Sequence, residues 1–334
     1  MNRSVRIGLS IAISAVFLGL AVRGVKWSEA GDALARAQYL YVAPMVGITW
    51  WTLFIRAQRW RLLLRPVGTP AMRTLVAATN IGFMANMLLP LRIGEVIRPV
   101  LVSRREREPL SGILATVVLE RIFDMFTILF LFGVSASAVA VSDDVRQWGY
   151  RLFGLAVIVG GVVALVRWQE RLALRIIRTL LRPLPRQVAE PADQFLRGFV
   201  QALEILDSPL AFLQLLGWSL YLWVAIASIY LCGLLAFQLP APLLMGSVVV
   251  TAVVAIAVSA PSAPGYIGAF QVGCTLSLAI FGVSKSDAFA YSIILHVTQF
   301  VGVVAAGLYS LAREGMTMRQ LEEVSESNAR AVAG

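Results

Sequence analysis

NMLLPLRIGEVIRP, residues 86–99, sets two arginines and a glutamate between two prolines inside a long apolar region. Proline disfavours the helical backbone before it and removes a hydrogen bond within it. The stretch therefore reads as a break in the run 72–102, with Pro90 and Gly94 at its centre. A charge in hydrocarbon costs about 2.5–3.5 kcal/mol on insertion scales, so Arg92, Glu95 and Arg98 must face protein or a water-filled cavity.

The rest of the chain has the same character. Of 334 residues, 58% are hydrophobic and 14% charged, against roughly 25% charged in soluble domains. Mean hydropathy is +0.77. Apolar runs at 5–22, 39–55, 72–102, 109–141, 152–166, 209–237, 241–282 and 287–311 predict an all-α polytopic membrane protein. They are continuous rather than alternating, which argues against a β-barrel. The first run follows Arg3 and Arg6, as a signal peptide would. Its one small-x-small match, Gly19-Leu20-Ala21, lies inside the run, so a retained first helix is expected.

Net charge is +10, and all basic residues but Lys26 and Lys285 are arginine. In a soluble chain this would suggest nucleic acid. Here the basic residues lie mostly in short loops, where they set orientation and favour anionic lipid. No nucleic-acid partner is expected. Cys232 and Cys274 fall in apolar runs and imply no disulfide, and His296 is the only histidine. No metal, cofactor or catalytic residue is expected.

Orientation depends on the two broken runs. If 72–102 leaves and returns on one side, and 241–282 does so on the other, twenty basic residues fall on one face of the membrane and six on the opposite face. That bias places both termini in the cytoplasm, in a bacterial inner membrane. Two complete spanning helices with a tight turn are the alternative for either run. The halves then mirror each other. Residues 1–141 and 152–311 each read as two helices, an interrupted re-entrant hairpin and one further helix, of opposite orientation. PLRIG at 90–94 echoes PGYIG at 264–268. Inverted repeats with broken helices in matching places point to a transport site near the bilayer midplane. Two proline-kinked helices without a transport role would give the same pattern.

Residues 1–315 thus form a single transmembrane domain. Trp27 to Gln38 reads as an interfacial helix. Residues 167–208 form a basic cytoplasmic loop, helical in part. Its Arg175, Arg178 and Arg182 either face anionic lipid or simply add to the positive-inside bias. The polar tail 316–334 is expected to be disordered.

Six charges lie within the apolar elements: Arg92, Glu95, Arg98, Glu120, Arg121 and Asp124. If 91–98 is helical, the first three form one stripe, and Glu120 and Asp124 share a face at i, i+4. Arg121 is about 16 Å in from Leu110, near the middle of a ~30 Å core. Three charges of each sign are what a structural polar knot would show. The same arginines, held by carboxylates, also suit a lipid phosphate. Asn80 and Asn86 are further polar candidates. The second break, 258–271, offers Ser262, Tyr266 and Gln271 beside Pro261, Pro264, Gly265 and Gly268. His296 reads as a hydrogen-bonded packing residue rather than a proton relay.

NMLLPLRIGEVIR at 86–98, SGILATVVLERIFD at 111–124 and PSAPGYIG at 261–268 together resemble the lysylphosphatidylglycerol synthase transmembrane, or flippase-like, family. The family's motif positions fall on Asn86, Pro90, Arg92, Gly94, Glu95, Arg98, Glu120, Arg121, Asp124, Pro261, Pro264, Gly265 and Gly268. In the multiple peptide resistance factor branch this domain is joined to an aminoacyl-transferase. With Gly334 shortly after the last helix, neither that domain nor lysyl-lipid synthesis is expected. The resemblance implies movement of a phospholipid or polyprenyl-phosphate lipid between leaflets. No GxxxxGK[ST] loop appears, so ATP is not expected to drive it. A membrane partner of a lipid-synthesis enzyme and an integral enzyme acting on lipid headgroups are the competing readings. Anionic lipids are the expected ligands, and a homo-oligomer or a lipid-synthesis enzyme the possible protein partners.

Overall fold

The computed structural model describes residues 3–89, 92–138, 143–181, 183, 185–259, 264–317 and 320. Pro90, Pro261, Ser262 and nearly all of the tail lie outside them. Among the described residues every regular element is helical. Helices close their own backbone hydrogen bonds, as hydrocarbon requires.

In chain order, the first half contains α1 (Arg3–Val22), α2 (Trp27–Arg36), α3 (Val42–Leu64), α4 (Met72–Leu88), α5 (Gly94–Glu106) and α6 (Leu110–Ala138). The second contains α7 (Asp143–Trp168), α8 (Glu170–Leu181), α9 (Arg186–Leu203), α10 (Pro209–Phe237), α11 (Leu243–Ser259), α12 (Ala269–Ala279) and α13 (Lys285–Arg313). The α3 region, α10 and α13 are each long and apolar enough to cross a membrane. At 29 residues α6 is as long, but carries Glu120, Arg121 and Asp124. Large exposed apolar side chains, such as Phe153, Ile158 and Leu165 on α7 and Val297 and Val301 on α13, cover the outside. A soluble monomer rarely shows so much apolar surface. The molecule is a multi-pass membrane protein.

Both broken runs are pairs of packed helices. In the first, α4 and α5 approach so closely that a Cβ on Gly94 would overlap the Gly82 carbonyl and the Asn86 side chain. Only glycine permits that approach. In the second, α11 packs on α12, and the connection passes through left-handed residues: Gly265 at φ 69°, Tyr266 at 62° and Gly268 at 87°. A Cβ on Gly268 would meet backbone atoms of α1 at Ser14 and Leu18, so α1 is packed into the fold beside this turn.

Three expectations change. The second span does not end at residue 55. Apolar Ile55, Ala57, Trp60, Leu62, Leu63 and Leu64 are buried, so α3 runs on and carries Arg56 and Arg59 inside it. This leaves eighteen of the twenty residues in the basic-side tally. Residues 91–98 are not one helix. Arg92 has φ 53° and stands before α5, so it leaves the stripe expected with Glu95 and Arg98. Finally, the helical part expected within 167–208 extends over most of it, as α8 and α9. α9 lies on α6, where a Cβ on Gly198 would sit 2.7 Å from the Gly112 Cα. The amphipathic stretch after α1 forms α2, whose Trp27 ring meets Phe289 of α13 edge-on at 5.8 Å.

Candidate functional site

Where α3, α5 and α6 meet, their charges form a knot. Arg59 Nη1 donates to Asp124 Oδ1 at 2.6 Å, and Nη2 to Glu120 Oε1 at 3.0 Å. The Ser219 hydroxyl accepts from Arg59 at 3.3 Å, and Trp223 Nε1 donates to Asp124 at 3.3 Å, both from α10. Arg98 Nη2 donates to Glu120 Oε2 at 3.3 Å. The Arg98 guanidinium lies 4.3 Å from the Trp60 ring centroid. Arg121 Nη2 reaches Glu120 at 2.9 Å and Asp124 at 3.3 Å, and its Nη1 is 3.8 Å from Glu95. Each buried carboxylate thus has more than one cationic neighbour, which offsets the cost of taking it out of water.

The knot is sealed on one side and open on the other. The Arg59 and Glu120 side chains are 0% exposed and Arg98 is 1%, whereas Arg121 is 39% and Glu95 23% exposed. Helical spacing explains the gradient. Glu120 and Asp124, four apart, turn inward to Arg59, while Arg121 is one step round the helix. Buried polar atoms throughout the cluster lack a protein partner among the described residues, Arg59 Nε and Arg98 Nε and Nη1 on the sealed side as well as Glu95 Oε2, Arg121 Nε and Asn86 Oδ1.

The second break closes over this rim. Arg92 donates to the Val258 carbonyl of α11, and its guanidinium lies 5.4 Å from the Tyr266 ring centroid. Tyr266 is within electrostatic reach of Arg92, Glu95, Arg121 and Arg56. Arg56 itself rests against Phe83, 4.7 Å from the ring centroid. Two side chains hold the Tyr266 turn. His296 Nε2 bonds the Gly265 carbonyl at 2.7 Å, which fixes the proton on that nitrogen. Gln271 bonds His296 Nδ1 through its amide nitrogen, and its oxygen accepts the Gly268 N–H, both at 2.7 Å.

Of the six charges singled out from sequence, five come together, and Arg92 turns to the second break. Asn86 is buried against Gly94, at the edge of the cluster. Asn80 faces away and donates to Ser310 at 2.9 Å. Pro264 opens the Tyr266 turn. Sequence reading missed Arg56 and Arg59, which it placed in a loop. The signal was present: the apolar pattern continues past both arginines to Leu64. No group of three histidine, cysteine or acidic residues suited to a metal occurs among the described residues.

The sequence pattern described as lysylphosphatidylglycerol synthase TM region matches residues 7–307. The chain belongs to this family. It is 24% identical over 357 residues to a Haloferax volcanii protein named glycosyltransferase AglD, covering 97% of this chain and 57% of that one. It is 26% identical over 159 residues to a UPF0104 membrane protein of Methanothermobacter thermautotrophicus, covering 47% of this chain and 46% of the other. The chain therefore spans about half the length of the curated relatives it matches. No solved structure matches this member of the family.

Proposed function

We propose that this protein moves an anionic lipid between membrane leaflets, its headgroup passing through the polar cavity framed by Glu95, Arg121, Arg92 and Tyr266. The observation that carries the reading is a charge knot sealed at Arg59 and Glu120 but open at Arg121 and Glu95. A purely structural knot has no need of a half-exposed edge. A headgroup needs cations that are held in place yet reachable.

The matching order of elements supports an inverted repeat, with α4–α5 and α11–α12 as re-entrant hairpins that meet at Arg92 and Tyr266. Both termini lie on the cytoplasmic side of an inner membrane in this reading, and eighteen basic residues still favour that orientation. A second reading is service to a lipid-linked enzyme without transport, favoured by the glycosyltransferase name of one relative.

The test is leaflet exchange of fluorescent anionic lipids in liposomes carrying the purified protein, wild type against Arg92→Ala, Glu95→Gln and Arg121→Ala. Exchange above empty liposomes that falls in the variants is expected. No exchange across a broad lipid panel would remove the transport reading, and equal exchange by all variants would remove the cavity as the route.

A further inference from the structure

The knot consumes its own charges. Glu95, Glu120 and Asp124 are matched by Arg59, Arg98 and Arg121, three of each sign, and every ion pair in the cluster is made among these six. Arg56 and Arg92 stand outside it. Neither makes an ion pair with a carboxylate among the described residues, although Arg56 is within electrostatic reach of Asp124 and Glu120. The charges gathered here, five arginines against three carboxylates, leave a surplus of two positive. Arg56 lies on Phe83, and Arg92 bonds the Val258 carbonyl and lies on Tyr266.

These two cations are reachable, as Arg121 is at the open edge of the knot. Arg56, Arg92 and Tyr266 are all partly exposed, whereas Arg59 and Arg98 are sealed. Tyr266 is within electrostatic reach of both arginines, and of Glu95 and Arg121 as well. No hydrogen bond of the Tyr266 hydroxyl falls among the described residues, so the turn held by His296 and Gln271 presents a donor beside the Arg92 guanidinium, which lies 5.4 Å from the ring centroid.

We infer that Arg56, Arg92 and the Tyr266 hydroxyl form a receptor for the phosphomonoester headgroup of a lipid, with the six-charge knot as its scaffold. The inference rests on the proposed reading of this cavity as a lipid site. Charge decides the class of ligand. A phosphomonoester carries about −1.5 to −2 at neutral pH, which the two spare guanidiniums match. A phosphodiester brings one negative charge, a zwitterion none, and a lysyl ester adds ammonium groups that these arginines repel. The planar forks of two arginines and one hydroxyl also suit the three terminal oxygens that only a monoester presents.

The test uses the full chain purified in detergent and titrated with phosphatidic acid, a polyprenyl monophosphate, phosphatidylglycerol, phosphatidylcholine and inorganic phosphate. Binding is read by native mass spectrometry and by thermal unfolding. Both monoester lipids should bind about tenfold or more tightly than phosphatidylglycerol, the worth of one added charge-assisted hydrogen bond. Arg56→Gln and Arg92→Gln should each shrink that preference, and Arg56→Lys should keep most of it.

Equal affinity of the wild type for phosphatidylglycerol would overturn the inference without recourse to any variant. So would a preference that survives in the Arg56→Gln, Arg92→Gln double variant. Inorganic phosphate binding as tightly as the monoester lipids would overturn the lipid assignment. Because no vesicle is used, the outcome is separate from transport. Monoester preference without leaflet exchange would leave this receptor standing and remove translocation, and exchange without the preference would do the reverse.

Discussion

Arg59 on α3 and Asp124 on α6 are joined by a 2.6 Å hydrogen bond between side chains almost wholly shut off from solvent. The same guanidinium holds Glu120, so one residue compensates two buried carboxylates. Arg59→Met removes that compensation and leaves both acids with fewer partners. Breaking a buried pair from one side costs about 3–5 kcal/mol, so thermal unfolding in detergent should show a large loss of stability. Adding Asp124→Asn should recover part of it, because one uncompensated charge is then gone. A second variant no more stable than the first would mean that Asp124 is not the charge Arg59 balances.

Glu95 behaves differently because its side chain is partly exposed and 3.8 Å from Arg121. Exposed pairs contribute about 0–1 kcal/mol. Glu95→Gln should therefore unfold within about 1 kcal/mol of wild type by that measure. Lipid exchange in liposomes should nevertheless change, since Arg121 loses one of its three carboxylate neighbours, the one on the open side of the knot. A variant that unfolds early and exchanges normally would place Glu95 in the scaffold and not in the cavity.

What the sequence disclosed about this site follows physical lines. Glu120, Arg121 and Asp124 were legible because they interrupt an apolar run at helical spacing, and such charges have few places to go. Arg59 was not, because a span ending at Ile55 looked complete and the arginines after it, Arg56 and Arg59 among them, resembled a loop. Apolar Trp60, Leu62, Leu63 and Leu64, all buried, carry the helix beyond them. Arg92 misled for another reason. Helical spacing put it in line with Glu95 and Arg98, but its left-handed backbone lies before the first turn of α5. The placement of α9 on α6 depends on a tertiary contact at Gly198 and Gly112, which no local pattern announces.

The first hairpin depends on glycine at its tightest point. A methyl group at Gly94 would overlap the Gly82 carbonyl and lie 2.5 Å from Asn86 Oδ1. Gly94→Ala must push α5 away from α4 and carry Glu95 and Arg98 with it. Overpacking of this kind costs about 1–3 kcal/mol. The expected result is a lower unfolding midpoint together with reduced lipid exchange. Gly133, where a Cβ meets nothing within 4 Å, is the matched control and should tolerate alanine.

The Tyr266 turn depends on a relay rather than a single contact. His296 holds the Gly265 carbonyl, Gln271 holds both His296 and the Gly268 N–H, and Phe270 stacks on the imidazole at 4.9 Å. His296→Phe removes two hydrogen bonds and leaves the Gly265 carbonyl without this donor, a cost of about 1–3 kcal/mol. Gln271→Leu loosens the same turn from its other end. Because the two residues act through one another, the double variant should lose less stability than the sum of the singles. The same cycle read on lipid exchange separates positioning from packing. If the relay sets the place of Tyr266, both single variants should slow exchange and the second substitution should add little to the first. Additive losses in both readouts would mean that His296 and Gln271 fill space independently and do not position the turn.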